Sequence, residues 1–410
     1  MKRDRKAFLV IWVGRFLATA GLAMVVPFLP FYLDELGATG IKENRLWTGL
    51  SLAAPAIMFI WAAPLWGRCG DRWGRKWMVV RGVFGIAISL ALMSLARTPF
   101  QFFLCRLLQG LVGGDNPAAA FVGSQGREEE RGRALGSLQS AVAAGSLIGP
   151  LIGGPAAYFT GFRPLLLALG FLTGVNGLLS ALILREVRPP PKAQIKEGKG
   201  PSAPPRPGFF DLLGNRRLRT FLIAGIWIQV GVFGLVTIFA PHVERLTGSA
   251  GLAATWVGGL QAILWGAAMV GAPWWGRRND QTEVEKNFFW SAVAGGLSIF
   301  LQAIPQNPAW LIPLRIVQGF CFGAILPSIL LVVTQESSDQ NRGMWIGAAS
   351  SFLFIGQILG ALFGALLGGG ATEWIFILLG GAHIIGGGWV RFKLREPIGA
   401  PLYAGRRKGG

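Results

Sequence analysis

The sequence predicts an all-α polytopic membrane protein whose twelve transmembrane helices form two pseudo-symmetric six-helix bundles. Composition, the spacing of apolar stretches and an internal repeat carry this expectation. The 410 residues are 52% hydrophobic and only 14% charged, against about 25% charged for ordinary soluble chains. The 60 glycines and 16 tryptophans suit helices that approach closely in lipid and anchor at its headgroups. Three cysteines, two of them (Cys105, Cys321) inside apolar runs, make no disulfide framework, which excludes a stapled secreted fold.

At about 20 apolar residues per span, the first half offers 8–33, 47–66, 77–96, 100–122, 134–159 and 163–184. The second half offers 219–240, 253–275, 287–305, 309–334, 343–368 and 373–392. The first span follows a basic hexapeptide but is too long for a signal-peptide core and lacks a small-residue cleavage site, so it reads as a retained helix. Of the 39 Lys and Arg, 30 fall on the side of the amino terminus, 5 on the other, and Arg15, Arg81, Arg106 and Arg315 lie inside spans. That asymmetry places both termini in the cytoplasm. It also accounts for the net charge of +19 without a nucleic-acid partner.

Between the halves, 185–218 carries Pro189–Pro191, Pro204, Pro205, Pro207 and scattered lysines. This composition buries no core and predicts a flexible cytoplasmic linker between bundles at 1–184 and 219–410. The halves repeat one another. Ala63-Pro64-Leu65-Trp66-Gly67-Arg68 with Asp71 recurs as Ala272-Pro273-Trp274-Trp275-Gly276-Arg277 with Asp280, and Arg106-x2-Gln109-Gly110 recurs as Arg315-x2-Gln318-Gly319. The pattern Gly136-x8-Gly145-x3-Gly149-x3-Gly153 returns as Gly347-x8-Gly356-x3-Gly360-x3-Gly364. A repeat of six spans keeps both copies in one orientation, so two bundles face one another about an axis along the membrane normal.

These motifs resemble the major facilitator superfamily over essentially the whole chain. The segment Gly67-x3-Asp71-Arg72-x-Gly74-Arg75-Lys76 matches the superfamily's signature between spans 2 and 3. The resemblance implies a conformational latch at the cytoplasmic face; the plainer reading is a basic loop that only orients the chain. The second copy keeps Gly276 and Asp280 but loses the arginines, so a weaker latch is expected there. In span 5, Gly136, Gly145, Gly149, Pro150, Gly153 and Gly154 are similar to the antiporter motif of the twelve-span drug:proton antiporters. Their glycines form a side-chain-free stripe and Pro150 bends the helix; the family uses the contact to seal one side of the cavity. In the second copy Ala361 replaces the proline. Gly21-x5-Pro27-x2-Pro30 in span 1 resembles a further motif of these antiporters, with the MdtG-type multidrug-efflux branch as the nearest likeness.

Arg106, Gly110, Gly113 and Pro117 share one helical face. The resemblance implicates Arg106 in proton coupling; the alternative is a structural arginine bonded to backbone carbonyls. Asp115 is the acid placed well inside a span. It is a proton-exchange candidate, or else a partner of Arg131 or Arg133; Arg15 is a further coupling candidate. In this fold spans 1, 4, 7 and 10 line the cavity, which nominates Phe28, Phe31, Asn116, Trp227, Gln229, Phe233 and Gln318 for substrate contact. Each aromatic has the alternative of simply packing or facing lipid.

His242 and His383 lack metal-ligand spacing, no Gly-x4-Gly-Lys-Ser/Thr loop occurs, and no catalytic pairing of a nucleophile with an acid–base group is evident in the spans. Neither an enzyme nor a cofactor or metal is expected. The expectation is a monomeric secondary transporter that exports small amphipathic compounds, in the manner of multidrug efflux and antibiotic resistance, in exchange for protons. The alternative on the same frame is an exporter of one endogenous metabolite, such as a siderophore, lipid or sugar derivative.

Overall fold

In the computed structural model residues 2–112, 128–186, 211–337, 342–367 and 373–394 are described, with backbone alone at 2–5, 63–64, 67–68, 70–73, 75, 128–137, 139, 211 and 342–344. All regular structure among them is helical. The first bundle contains α1 (Lys2–Val25), α2 (Leu29–Glu35), α3 (Ile41–Trp73), α4 (Arg75–Leu95), α5 (Pro99–Val112), α6 (Glu128–Thr160) and α7 (Phe162–Ile183). The second contains α8 (Arg216–Thr247), α9 (Ala250–Gln281), α10 (Val284–Leu301), α11 (Leu311–Glu336), α12 (Arg342–Leu367) and α13 (Glu373–Lys393). Ten described helices are long and apolar enough to cross a membrane. The protein is a multi-pass membrane protein of two six-span bundles, α1 and α2 together making the first span.

Three sequence expectations need correction. Span 1 is not one continuous helix: Pro27 and Pro30 cannot donate to the preceding turn, and the chain tightens into a 3₁₀ turn at Val26–Phe28 before restarting as α2. The supposed loop between spans 2 and 3 is largely helix. With no proline after Pro64, α3 runs to Trp73, and its 33 residues reach about 50 Å, beyond an apolar layer of about 30 Å. The linker also ends earlier than residue 218. Asn215 caps α8 by accepting from the amides of Arg217 (2.9 Å) and Leu218 (3.1 Å), and Leu212 and Leu218 are buried. Residues 187–210 lie outside the described set.

Packing follows the repeat. Within the first bundle α1 packs on α6, α3 on α5 and α4 on α7; the same pairs recur as α8 on α12, α9 on α11 and α10 on α13. Across the bundles, α6 meets α9 and α3 meets α12, two contacts that a two-fold axis exchanges. Details repeat too. Trp66 Nε1 donates to the Leu111 carbonyl (2.6 Å), as Trp275 Nε1 donates to that of Phe320 (3.0 Å). A Cβ at Gly149 would lie 2.7 Å from the Ala20 carbonyl oxygen, and one at Gly360 2.5 Å from that of Val230. Lipid supplies little drive for helices to associate, so this backbone proximity holds each bundle together. Gly360→Ala is therefore expected to lower stability by roughly 1–3 kcal/mol in thermal unfolding of the detergent-solubilised protein. Gly381→Ala, whose Cβ meets nothing within 4 Å, is expected to be neutral or slightly stabilising.

Candidate functional site

The ends of the bundles opposite their basic face meet in an apolar plug. Phe28, Leu29, Tyr32 and Leu33 of the first bundle share one buried cluster with Leu235, Ile238, Phe239 and Val243 of α8 and with Ala254 and Val257 of α9. The plug is braced from behind: Tyr32 Oη donates to the Met93 carbonyl (2.9 Å), and Asn44 Nδ2 donates to that of Pro30 (2.8 Å). Beside it the bundles touch backbone to backbone. A Cβ at Gly154 would lie 2.6 Å from the Ala254 carbonyl oxygen, and one at Gly258 would strike that of Pro150. At the symmetry-related place, a Cβ at Gly49 would come within 2.5 Å of the carbonyl oxygen of Ala361, the residue that stands in the repeat for Pro150. Lower down, Phe59 and Phe354 face one another at 5.2 Å. These bundle-to-bundle contacts are van der Waals, whereas polar ties described below run inside a bundle.

The span 5 motif is thus divided between two neighbours. Gly145, Gly149 and Gly153 seat α6 on α1 at Phe16, Ala20 and Met24, while Pro150 and Gly154 seat it on α9 of the other bundle. Gly136 lies on the same helix, but its surroundings fall outside the described side chains.

At the basic face, Gly74 is the single non-helical residue between α3 and α4, with φ at +99°. A side chain there would be strained and would collide with the Glu186 carboxylate. Glu186 Oε1 accepts from the Lys76 amide (3.4 Å) at the start of α4, where the helix dipole favours an acid. Gly67, Asp71, Arg72 and Arg75 sit on or beside this helical junction, their side chains outside the described set.

In the second copy Asp280 is exposed and Gly276 has open space over it. The buried contacts there are made by the neighbouring residue. Asn279 is buried, donates to Ser328 Oγ (3.0 Å) and accepts from Asn287 Nδ2 (2.8 Å), tying α9 to α11 and α10. Arg217, in the stretch read as linker, bridges Glu285 (2.7 Å) and Glu336 (3.1 Å). Glu186, Asn279 and Arg217 are the residues that sequence reasoning missed. The signal for Asn279 was its place beside the repeated Asp280.

Arg106 is buried. Its Nε donates to the Ser51 carbonyl (2.9 Å) and its guanidinium also holds Gln109 Oε1, which is the structural-arginine alternative. Arg15 is half-buried on α1. Asp115 and Asn116 lie outside the described residues.

The cavity candidates are dispersed. Phe28 is fully buried 6.1 Å from the Phe162 ring, as part of the plug rather than a cavity wall. Trp227 is 42% exposed with its Cβ turned to Gly386 of α13, so it faces away from the bundle interface. Gln318 is buried and accepts from Arg315 (3.1 Å) and Gln302 (3.0 Å) instead of facing an open space. Phe31, Gln229 and Phe233 are half-buried on α2 and α8, and Gln229 packs toward Gly356.

Comparison with known proteins decides the family. The Major Facilitator Superfamily model matches residues 11–284 and 247–408. The chain belongs to the major facilitator superfamily. It is 38% identical over 365 residues to the Staphyloferrin B transporter of Staphylococcus aureus, covering 88% of this chain and 86% of that protein. It is 31% identical over 358 residues to Multidrug resistance protein MdtG of Enterobacter lignolyticus, covering 87% and 84%. Among solved structures the nucleoside transporter NupG superposes with a TM-score of 0.75 at 16% identity over 95% of this chain and all of that one. The D-xylose-proton symporter does so at 0.73 and 14%, over 94% and 97%. These superpositions establish the fold. At the second basic-face junction the buried polar ties run through Asn279. Asn279→Ala is expected to cost about 1–3 kcal/mol of stability by orphaning buried partners, whereas Asp280→Asn should change unfolding by less than about 0.5 kcal/mol; thermal unfolding of the two variants measures both.

Proposed function

We propose that the protein is a proton-coupled exporter of a small acidic metabolite of the siderophore kind, working by alternating access with its basic face in the cytoplasm. The observation that carries this reading is the 38% identity, across nearly the whole length, to a transporter named for staphyloferrin B. Interior charge agrees with it. The spans contain Arg15, Arg81, Arg106 and Arg315 against Asp115 as their acid, a balance that favours an anionic cargo. The plug closes the periplasmic side, and parting of the α6–α9 and α3–α12 contacts opens it.

Export of amphipathic drugs is the second reading, favoured by the 31% identity to MdtG. The glycine–proline pattern of α6 supports the exporter direction in both. Asp115 remains the coupling candidate, as the acid that the sequence places well inside a span and whose protonation would bias the two open states differently.

Inside-out membrane vesicles test the proposal. Staphyloferrin B should accumulate under an imposed pH gradient, and a protonophore should return uptake to the level of empty vesicles. Uptake of ethidium but not staphyloferrin B would replace this reading with drug export, and uptake indifferent to the protonophore would remove proton coupling. In the same vesicles Asp115→Asn should lower gradient-driven uptake at least tenfold at unchanged expression. Wild-type rates would exclude Asp115 as the coupling group.

A further inference from the structure

The second bundle carries a polar cluster that the first does not. Behind the plug, Arg315 of α11 lies with its guanidinium 3.4 Å over the Phe239 ring, and NH1 donates to Gln318 Oε1 (3.1 Å). Gln302, at the end of α10, donates to the same oxygen (3.0 Å). His242 of α8 packs on the Phe376 ring within electrostatic reach of Arg315. Arg315, Gln302 and His242 are all at least nine-tenths buried, at 3%, 0% and 4% exposure. Among the described residues, Arg315 Nε and Gln302 Oε1 nevertheless have no hydrogen-bond partner, while the His242 imidazole lies against the Gln302 backbone. The tautomer of His242 follows from its neighbour: Arg245 reaches Nδ1 at 3.3 Å, and because a guanidinium only donates, Nδ1 accepts and Nε2 carries the hydrogen.

The repeat supplies an internal control. Arg315 corresponds to Arg106, whose Nε is satisfied by the Ser51 carbonyl. Gln302 stands where the first bundle has Met93, a fully buried apolar side chain, and His242 where it has Tyr32, whose hydroxyl is satisfied by the Met93 carbonyl. The fold therefore closes this place with satisfied groups in one copy. In the other it leaves one donor, Arg315 Nε, and one acceptor, Gln302 Oε1, open at a buried cation that no acid among the described residues neutralises.

A buried arginine without a counter-ion is costly, and cation–π contact offsets only part of the cost. A carboxylate bearing a neighbouring hydroxyl has the matching complement: an oxygen accepts from Arg315 Nε, and its hydroxyl donates to Gln302 Oε1. Phe239 belongs to the plug, so the cluster becomes accessible as the plug parts. We infer that Arg315 and Gln302 form a carboxylate-binding subsite, flanked by His242, that holds the anionic end of the cargo on the release side of the cycle. The inference rests on the acidic-cargo reading given above.

Citrate, its trimethyl ester and thermal unfolding of the purified full-length protein test it. Citrate should raise the melting temperature of the wild type while the uncharged ester leaves it unchanged. Arg315→Gln should abolish the citrate response, whereas Phe171→Leu, at an exposed position of α7 in the other bundle, should retain it; a full response in folded Arg315→Gln would overturn the subsite. Should Arg315→Gln not fold, Arg315→Lys keeps the charge but loses the Nε donor. It should then need about tenfold more citrate for the half-maximal shift, as expected for one charge-assisted hydrogen bond; an unchanged half-maximal concentration would overturn the subsite. Failure of the function reading has a different signature. If vesicles do not move staphyloferrin B but the Arg315-dependent citrate shift persists, the subsite stands without it. If staphyloferrin B moves with an unchanged KM in Arg315→Lys, the subsite fails alone.

Discussion

Backbone-to-backbone contact between the bundles is the constraint on which the structure depends. Hydrocarbon surrounds both bundles, so burying leucine against leucine across the interface gains little over leaving it in lipid. What holds them is close approach at Gly258 on Pro150 and at Gly49 on Ala361, positions where a Cβ would collide. Such contacts are short-ranged and nondirectional, and they form or part without breaking a hydrogen bond. The firm ties, Arg217 with Glu285 and Glu336, Asn279 with Asn287 and Ser328, and Arg106 with Ser51, lie within one bundle. Two bodies that are stiff inside and loosely seated on each other are the mechanical requirement for rocking about a central site.

Much of this was legible from residue order. The twelve spans followed from apolar run length, and the two-fold arrangement from a repeat whose equivalent tryptophans, Trp66 and Trp275, proved to make the same hydrogen bond. Gly145, Gly149 and Gly153 proved to be close-contact positions because a glycine every fourth residue bares one strip of helix backbone. Errors arose where local composition misleads. Gly67 to Trp73 reads as loop because it is polar, yet polarity there reflects a helix leaving the membrane, and only Gly74 breaks it. Residues 211–218 read as linker because arginines mask the two leucines that anchor them.

The site was less legible than the fold, for a physical reason. Periodicity identifies the face a residue occupies but not which polar group it meets. Arg106 and Arg315 are equivalent in sequence and differ in circumstance, because Ser51 offers a carbonyl to one and nothing comparable satisfies the other. Gln318 looked like a cavity amide and instead orients Arg315. Phe28 looked like a substrate contact and instead fills the plug.

The most direct test of two rigid bundles parting at the plug is a pair of spin labels at the exposed positions Thr39 and Ser249, one on each bundle, with the native cysteines replaced. Pulsed electron spectroscopy should find two distance populations whose ratio shifts when pH or cargo changes, while a pair within one bundle, at Thr39 and Arg97, keeps a single distance. One invariant distance across the bundles, or equal changes within them, would contradict alternating access by rocking.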